Sequence, residues 1–123
     1  HIQFPKQIKA LYLHYKRFKL VDMSQRTMEI LRQCSPVFSV LQDENRQQII
    51  ILLFESGELS VASLAEKMPL SRPAVSHHLK LLLDAGLVVI RKEGKERYYR
   101  LELTAAVELL EDLLRSLKND LQE

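Results

Sequence analysis

The feature that most constrains this chain is a change of period at Gly86. Upstream, apolar residues recur at helical spacing in short blocks, each opened by a capping residue. Asp43 caps a helix carrying Ile49, Ile50, Leu52, Leu53 and Phe54, which Gly57 ends. Ser60 caps a short helix (Val61, Leu64, Ala65) that must stop before Pro69, and Ser71 caps the next, running to Ala85 with Gly86 as its C-terminal glycine. Downstream, Leu87-Val88-Val89-Ile90 and Arg97-Tyr98-Tyr99-Arg100-Leu101 are branched and aromatic runs of β type. The charged segment Arg91–Glu96 between them contains one glycine and reads as a hairpin. Thr104 then caps a last helix bearing Val107, Leu109, Leu110, Leu113, Leu114 and Leu117. The order predicts a mainly α fold with a small β-hairpin (α+β): a winged helix-turn-helix flanked by helices at both ends.

Ahead of this block, Ile8, Leu11, Tyr12, Tyr15 and Phe18, then Met28, Ile30 and Leu31, also recur at helical spacing. Val21-Asp22-Met23-Ser24 weakens the pattern, so the segment is either two helices or one bent one. Residues 1–22 read as a helical extension and 23–123 as the winged domain with its terminal helices, with Met23 a conceivable internal start. Ser35-Pro36 has the form of an N-cap followed by Pro at the first helical position, opening a short helix through Leu41. These helices carry more apolar surface than a small domain covers alone, which suggests a partner subunit.

The net charge of +2 conceals a segregated distribution. Lys and Arg minus Asp and Glu give +5 over residues 1–42, −3 over 43–70, +4 over 71–100 and −4 over 101–123. Separate basic blocks in a near-neutral chain suggest a surface for a polyanion; a solvated face is the plainer alternative. One cysteine cannot form an internal disulfide, which favours a reducing compartment. No apolar stretch is long enough for a membrane span, and the N-terminus lacks the features of a secretory signal, so the cytoplasm is expected. Three scattered glycines exclude a glycine-rich phosphate loop, and Ser76 and His77 are turned apart by the helix that carries them, with no acidic orienter evident. No catalytic constellation or cofactor site emerges, and an enzyme is not expected.

The helix beginning at Ser71 carries the functional signal. At 100° per residue, Arg72, Pro73, Ser76, His77 and Lys80 fall in an arc of roughly 140°, while Val75, His78, Leu79 and Leu82 occupy roughly 100° on the other side. The outer set suits a major groove of double-stranded DNA. Arg72 can pair bidentately with guanine, Ser76 can donate or accept, and Pro73 can touch a thymine methyl. His77 can reach a base edge or a phosphate, Lys80 suits a phosphate, and the helix start at Ser71 favours one nearby. A solvated amphipathic helix would show the same pattern. The hairpin argues against it, because Arg91, Lys92, Lys95 and Arg97 place cations where a neighbouring backbone or minor groove would lie. Glu93 and Glu96 dilute that charge. A winged helix that binds a protein partner would instead need an apolar outer face between Ser71 and Ala85.

These residues resemble the arsenical-resistance-repressor (ArsR-type) family of bacterial winged-helix regulators. The resemblance rests on Leu41-Gln42-Asp43-Glu44-Asn45-Arg46-Gln47-Gln48-Ile49, Ser60-Val61-Ala62-Ser63-Leu64-Ala65, Arg72-Pro73-Ala74-Val75-Ser76-His77-His78-Leu79-Lys80 and Ala85-Gly86-Leu87-Val88. It spans about Met23 to Leu117. It implies a homodimer built from the first and last helices, reading an inverted-repeat operator and repressing until an effector intervenes. Half-sites would lie on the order of 34 Å apart. On this reading Tyr12, Tyr15, Phe18, Met28, Leu31, Leu110, Leu113, Leu114 and Leu117 supply the dimer interface. A small-molecule effector pocket between terminal helices, lined by Tyr12, Tyr15 and Phe18, is the alternative, although aromatic residues at helical spacing more often form core or interface.

Many members of this family sense metals. The family's Glu-Leu-Cys-Val-Cys pattern is Glu58-Leu59-Ser60-Val61-Ala62 here, without thiols, and Thr104–Glu123 holds no His or Cys for the family's other site. His77 and His78 point about 100° apart and cannot share an ion; His78 reads as a half-buried structural histidine. No metal site is expected. Cys34, just before Ser35-Pro36, would have its pKa lowered if a helix began there, which leaves a redox-sensing regulator as an alternative to a small buried hydrophobe. Tyr98 and Tyr99 must face opposite sides of their strand.

Overall fold

The computed structural model describes residues 5–18 and 22–122, without the side chains of residues 14–18. Helix α1 (Lys6–Phe18) is followed by α2 (Gln25–Leu41) and α3 (Glu44–Ser56). Strand β1 (Leu59–Ser60) leads into α4 (Val61–Lys67) and α5 (Arg72–Asp84). The hairpin β2 (Val88–Glu93) and β3 (Glu96–Leu101) then precedes α6 (Thr104–Leu121). The N-terminal pattern therefore resolves into two helices.

Asp43, Ser60 and Ser71 are caps as the sequence signals, and Ser24 is a further one that the spacing does not single out. Ser24, Asp43, Ser60 and Ser71 each accept a backbone N–H three residues on, opening α2, α3, α4 and α5. Gly86 closes α5 at φ 78°, with its N–H donating to Leu83 O at 3.0 Å and the Leu87 N–H to Leu82 O at 3.0 Å. That pairing releases the chain directly into the sheet.

Three expectations need correction. Ser35-Pro36 opens no helix: α2 runs continuously through it. Thr27, Ile30, Cys34, Val37 and Val40 form one buried stripe along α2, and that packing holds the helix across a proline whose ring lies on the exposed face. Thr104 is not a cap but the first residue of α6; the cap position is Leu103, which packs on the core, and the Glu102 carboxylate accepts the Thr104 N–H at 3.4 Å. The hairpin is also part of a three-stranded antiparallel sheet of order β1-β3-β2, because Leu59 and Ser60 pair with Tyr99 and Tyr98.

Ile49, Leu53, Leu64, Val75, Leu79, Leu82, Leu87 and Val88 are buried together as the winged-domain core, joined by Tyr99 from β3. A second, smaller cluster joins α2 to α6 through Ile30, Cys34 and Leu113. Beside it the Thr27 and Ser116 hydroxyls bond each other, and Asp120 Oδ2 accepts from Thr27 Oγ1 at 2.7 Å and from the Ser24 N–H at 2.9 Å. The start of α2 is thereby tied to the end of α6. No helix among the described residues is long and apolar enough to cross a membrane.

Candidate nucleic-acid interface

Helices α4 and α5 form the helix-turn-helix. Pro69 forces Met68 into extended backbone (φ −129°, ψ 150°), which breaks the helix and turns α5 across α4. Val75, Leu79 and Leu82 are fully buried beneath α5, and that anchoring aims the opposite face outward. Arg72, Pro73, Ser76, His77 and Lys80 are all exposed on it, as their spacing requires. The Ser71 hydroxyl is engaged, accepting the Ala74 N–H at 3.3 Å, so Ser71 contributes chiefly the helix start. Lys80 pairs with Asp84 at 3.3 Å, an exposed i,i+4 contact that a phosphate can displace.

His78 is half-buried and held, as expected of a structural histidine. Its Nδ1 lies 3.2 Å from Arg46 Nη1 and 3.9 Å from Asp43 Oδ2. Arg46 also donates from Nε to Val40 O at 2.7 Å, so α2, α3 and the recognition helix meet at one guanidinium. Asp43 is held below the usual carboxylate range, first by the Arg46 backbone N–H and then by the Arg46 and His78 charges.

At the wing, positive φ at Gly94 alone (60°) makes Gly94-Lys95 a tight two-residue turn and puts Lys95 at the tip. Lys92, Lys95 and Arg97 are exposed. Arg91 is engaged both inside and outside the wing: its Nη1 donates to Glu93 Oε2 at 2.8 Å, its guanidinium lies 4.6 Å from the Tyr98 ring centre, and its Nη2 donates to Glu58 Oε1, just ahead of β1, at 2.8 Å. Tyr98 thus occupies the outer side of β3 while Tyr99 enters the core. Sequence reasoning had no means of finding the Glu58–Arg91 pair, since the two residues meet only through the β1-β3-β2 pairing.

Recognition helix and wing tip converge. Arg72 and Ser76 from α5, Lys95, Glu96 and Arg97 from the hairpin, and Val61 and Ala62 from α4 line one open groove of about 320 Å³. Three cations, Arg72, Lys95 and Arg97, against the single carboxylate of Glu96, with the small Ala62 and Ser76 beside them, suit a sugar-phosphate backbone.

The proposed dimer residues separate into groups. Tyr12, Leu31 and Leu114 are exposed, and Met28, Leu110 and Leu117 are half-buried. Leu113 turns inward instead, 7% exposed against Ile30 and Cys34 of its own chain. The side chains of Tyr15 and Phe18 lie outside the described residues. Cys34 is enclosed in mid-helix, its sulfur 4.0 Å from Leu109 O, and burial pushes the thiol up. The basis for a reactive thiol, a helix N-terminus at Ser35, is therefore absent.

The family's metal sites find no fit in these residues. The Ser60 hydroxyl is spent on the Ser63 N–H at 3.1 Å, and Ala62 has no donor. Among the described residues no three His, Cys, Asp or Glu side chains cluster to hold an ion.

Residues 43–89 match the model of the bacterial regulatory protein family arsR. The arsenical resistance operon repressor of Escherichia coli is 46% identical over 65 residues, covering 53% of this chain and 56% of that repressor, so the chain spans little more than half of it. A cadmium resistance transcriptional regulatory protein CadC homolog of Staphylococcus aureus is 40% identical over 106 residues, 84% of each protein. The homodimeric winged helix-turn-helix DNA-binding domain of a possible ArsR-family regulator from Mycobacterium bovis superposes with a TM-score of 0.60 at 29% identity, over 85% of this chain and 94% of that one. Sequence and fold agree: the chain belongs to the arsR family of bacterial regulatory proteins.

Proposed function

We propose that this chain is a cytoplasmic, sequence-specific DNA-binding repressor that acts as a homodimer on an inverted repeat. The carrying observation is the convergence of Arg72 and Ser76 with Lys95 and Arg97 on one groove. Arg72, Ser76 and His77 read base edges; Lys80, Lys92, Lys95 and Arg97 hold phosphates. Arg91 acts through the wing, braced on Glu58 and Tyr98, more than as a phosphate contact.

Homodimerisation is supported by Val107, Leu114 and Leu121, exposed at seven-residue spacing along α6, and by Leu31 and Phe38 exposed on α2. A seam at that spacing suits helix pairing across a two-fold axis. The effector acts elsewhere than at the family's metal positions, where Ser60 and Ala62 lack soft donors.

Selection from a random duplex pool, with wild type and Arg72→Ala in parallel, tests the reading. An inverted repeat enriched by wild type and blurred by the substitution supports it. Salt-sensitive binding without enrichment overturns sequence-specific reading by α5.

A further inference from the structure

Val75, Leu79 and Leu82, the fully buried floor of α5, span only roughly 60° of its circumference. Apolar contact is non-directional, so a seam that narrow holds the helix down but resists a roll about its axis weakly. At a radius of about 6 Å, a roll of about 10° carries a side-chain tip about 1 Å. Base reading through paired hydrogen bonds tolerates about half of that. A directional contact is needed to fix the angle of α5.

His78 stands beside the seam, roughly 40° beyond Leu82 and roughly 160° from Ser76. Only 13% of its side chain is exposed, too little for a groove contact. Arg46 Nη1 donates to its Nδ1 at 3.2 Å; a guanidinium has no acceptor, so the imidazole must accept. Arg46 is itself fixed at both ends. Its Nε donates to Val40 O, near the C-terminal end of α2, at 2.7 Å, and its backbone N–H donates to Asp43 Oδ2, at the start of α3, at 3.0 Å. The same Asp43 oxygen lies 3.9 Å from His78 Nδ1. On the outer side, the His77 ring centre is 5.9 Å from that of His78, so the held ring backs a residue on the reading face.

The α2 helix that receives this guanidinium packs in turn on α6 through Ile30, Cys34 and Leu113. The angle of α5 is thereby referred to the helices that, in a two-fold dimer, set the two recognition helices against each other. We propose that Arg46 and His78 are positioning residues for base reading: their hydrogen bond fixes the roll of α5, and with it the aim of Arg72, Ser76 and His77. The inference rests on the sequence-specific reading proposed above and assigns the residues that set its geometry.

Full-length His78→Leu, His78→Gln and Arg46→Lys test it. Each is titrated with the duplex selected by wild type, with single-base mismatches of that duplex and with unrelated duplex, and thermal melting is followed on the same samples. Glutamine keeps an acceptor for Arg46 and leucine does not; lysine keeps the charge but replaces the fork by one nitrogen. His78→Leu and Arg46→Lys should melt cooperatively and bind unrelated duplex with wild-type affinity and salt slope, because Arg72, Lys80, Lys92, Lys95 and Arg97 are untouched. Both should lose roughly tenfold in discrimination between site and mismatches. His78→Gln should restore most of it, and Arg46→Lys with His78→Leu should lose no more than the worse single, since both break one contact. Unchanged discrimination in folded His78→Leu overturns the proposal, as does glutamine no better than leucine. An equal loss on every duplex, or unfolding of both single variants, also overturns it, because the pair then serves the fold and not the aim of α5. A wild type that binds all duplexes alike overturns the base reading itself, and this inference with it.

Discussion

Glu58 and Arg91 face each other across the sheet, the guanidinium donating from Nη2 to Oε1 at 2.8 Å and from Nε to both carboxylate oxygens at 3.2 Å. Glu58 precedes β1 and Arg91 lies in β2, so the pair ties the wing to the entrance of the helix-turn-helix.

That contact contributes to the acid limb of stability. Glu58 is held below its ordinary pKa of 4.5 first by hydrogen bonding to Arg91. Asp43 and Asp120 are held below 3.8 first by the backbone N–H groups of Arg46 and Ser24. All three folded values are depressed, so the unfolded chain binds more protons in acid. Their contribution is complete above about pH 5 and is lost as the pH falls through 4.5 and 3.8 and below. Melting temperature against pH should therefore fall along this limb, and Asp120→Asn should flatten it. An unchanged slope would mean that the Ser24–Asp120 tie adds nothing.

Arg72 and Lys95 should fail differently. Arg72→Ala is expected to lose roughly 1–3 kcal/mol of discrimination between the selected site and its variants while folding survives. Lys95→Ala should weaken all duplexes about equally and reduce the salt slope by about one. Titrations of matched and mismatched duplexes across a salt series separate the two; identical behaviour would refute the division of roles.

Pro36 can be removed to advantage. Alanine restores a helical N–H where α2 lacks one, against an interior proline cost of ~3 kcal/mol. Greater freedom of the unfolded chain offsets about 0.4–1 kcal/mol of this. Urea denaturation of Pro36→Ala should show a raised midpoint with an unchanged slope; a lowered midpoint would show that the proline is needed in place.

Cys34 should be inert in the native state. A chromogenic disulfide reagent should label it only in denaturant, and peroxide should leave DNA affinity unaltered. Rapid native labelling would contradict the enclosure seen between α2 and α6.

Capping and period made most of this protein legible in advance. Ser60, Ser71, Gly86 and the Arg72–Lys80 face depend on residues within a turn or two of each other, and local physics determines them. The sequence alone therefore determined the helix-turn-helix, its outward polar face and the wing. Tertiary structure decided what depends on distant partners. Pro36 stays helical because the stripe from Ile30 to Val40 is buried against α6 and the core. Leu59-Ser60 becomes a strand only when β3 lies beside it. Arg91 is a brace because Glu58, 33 residues earlier, meets it there. Burial and pairing energies of that kind arise only once the chain has closed, and no window of the sequence contains them.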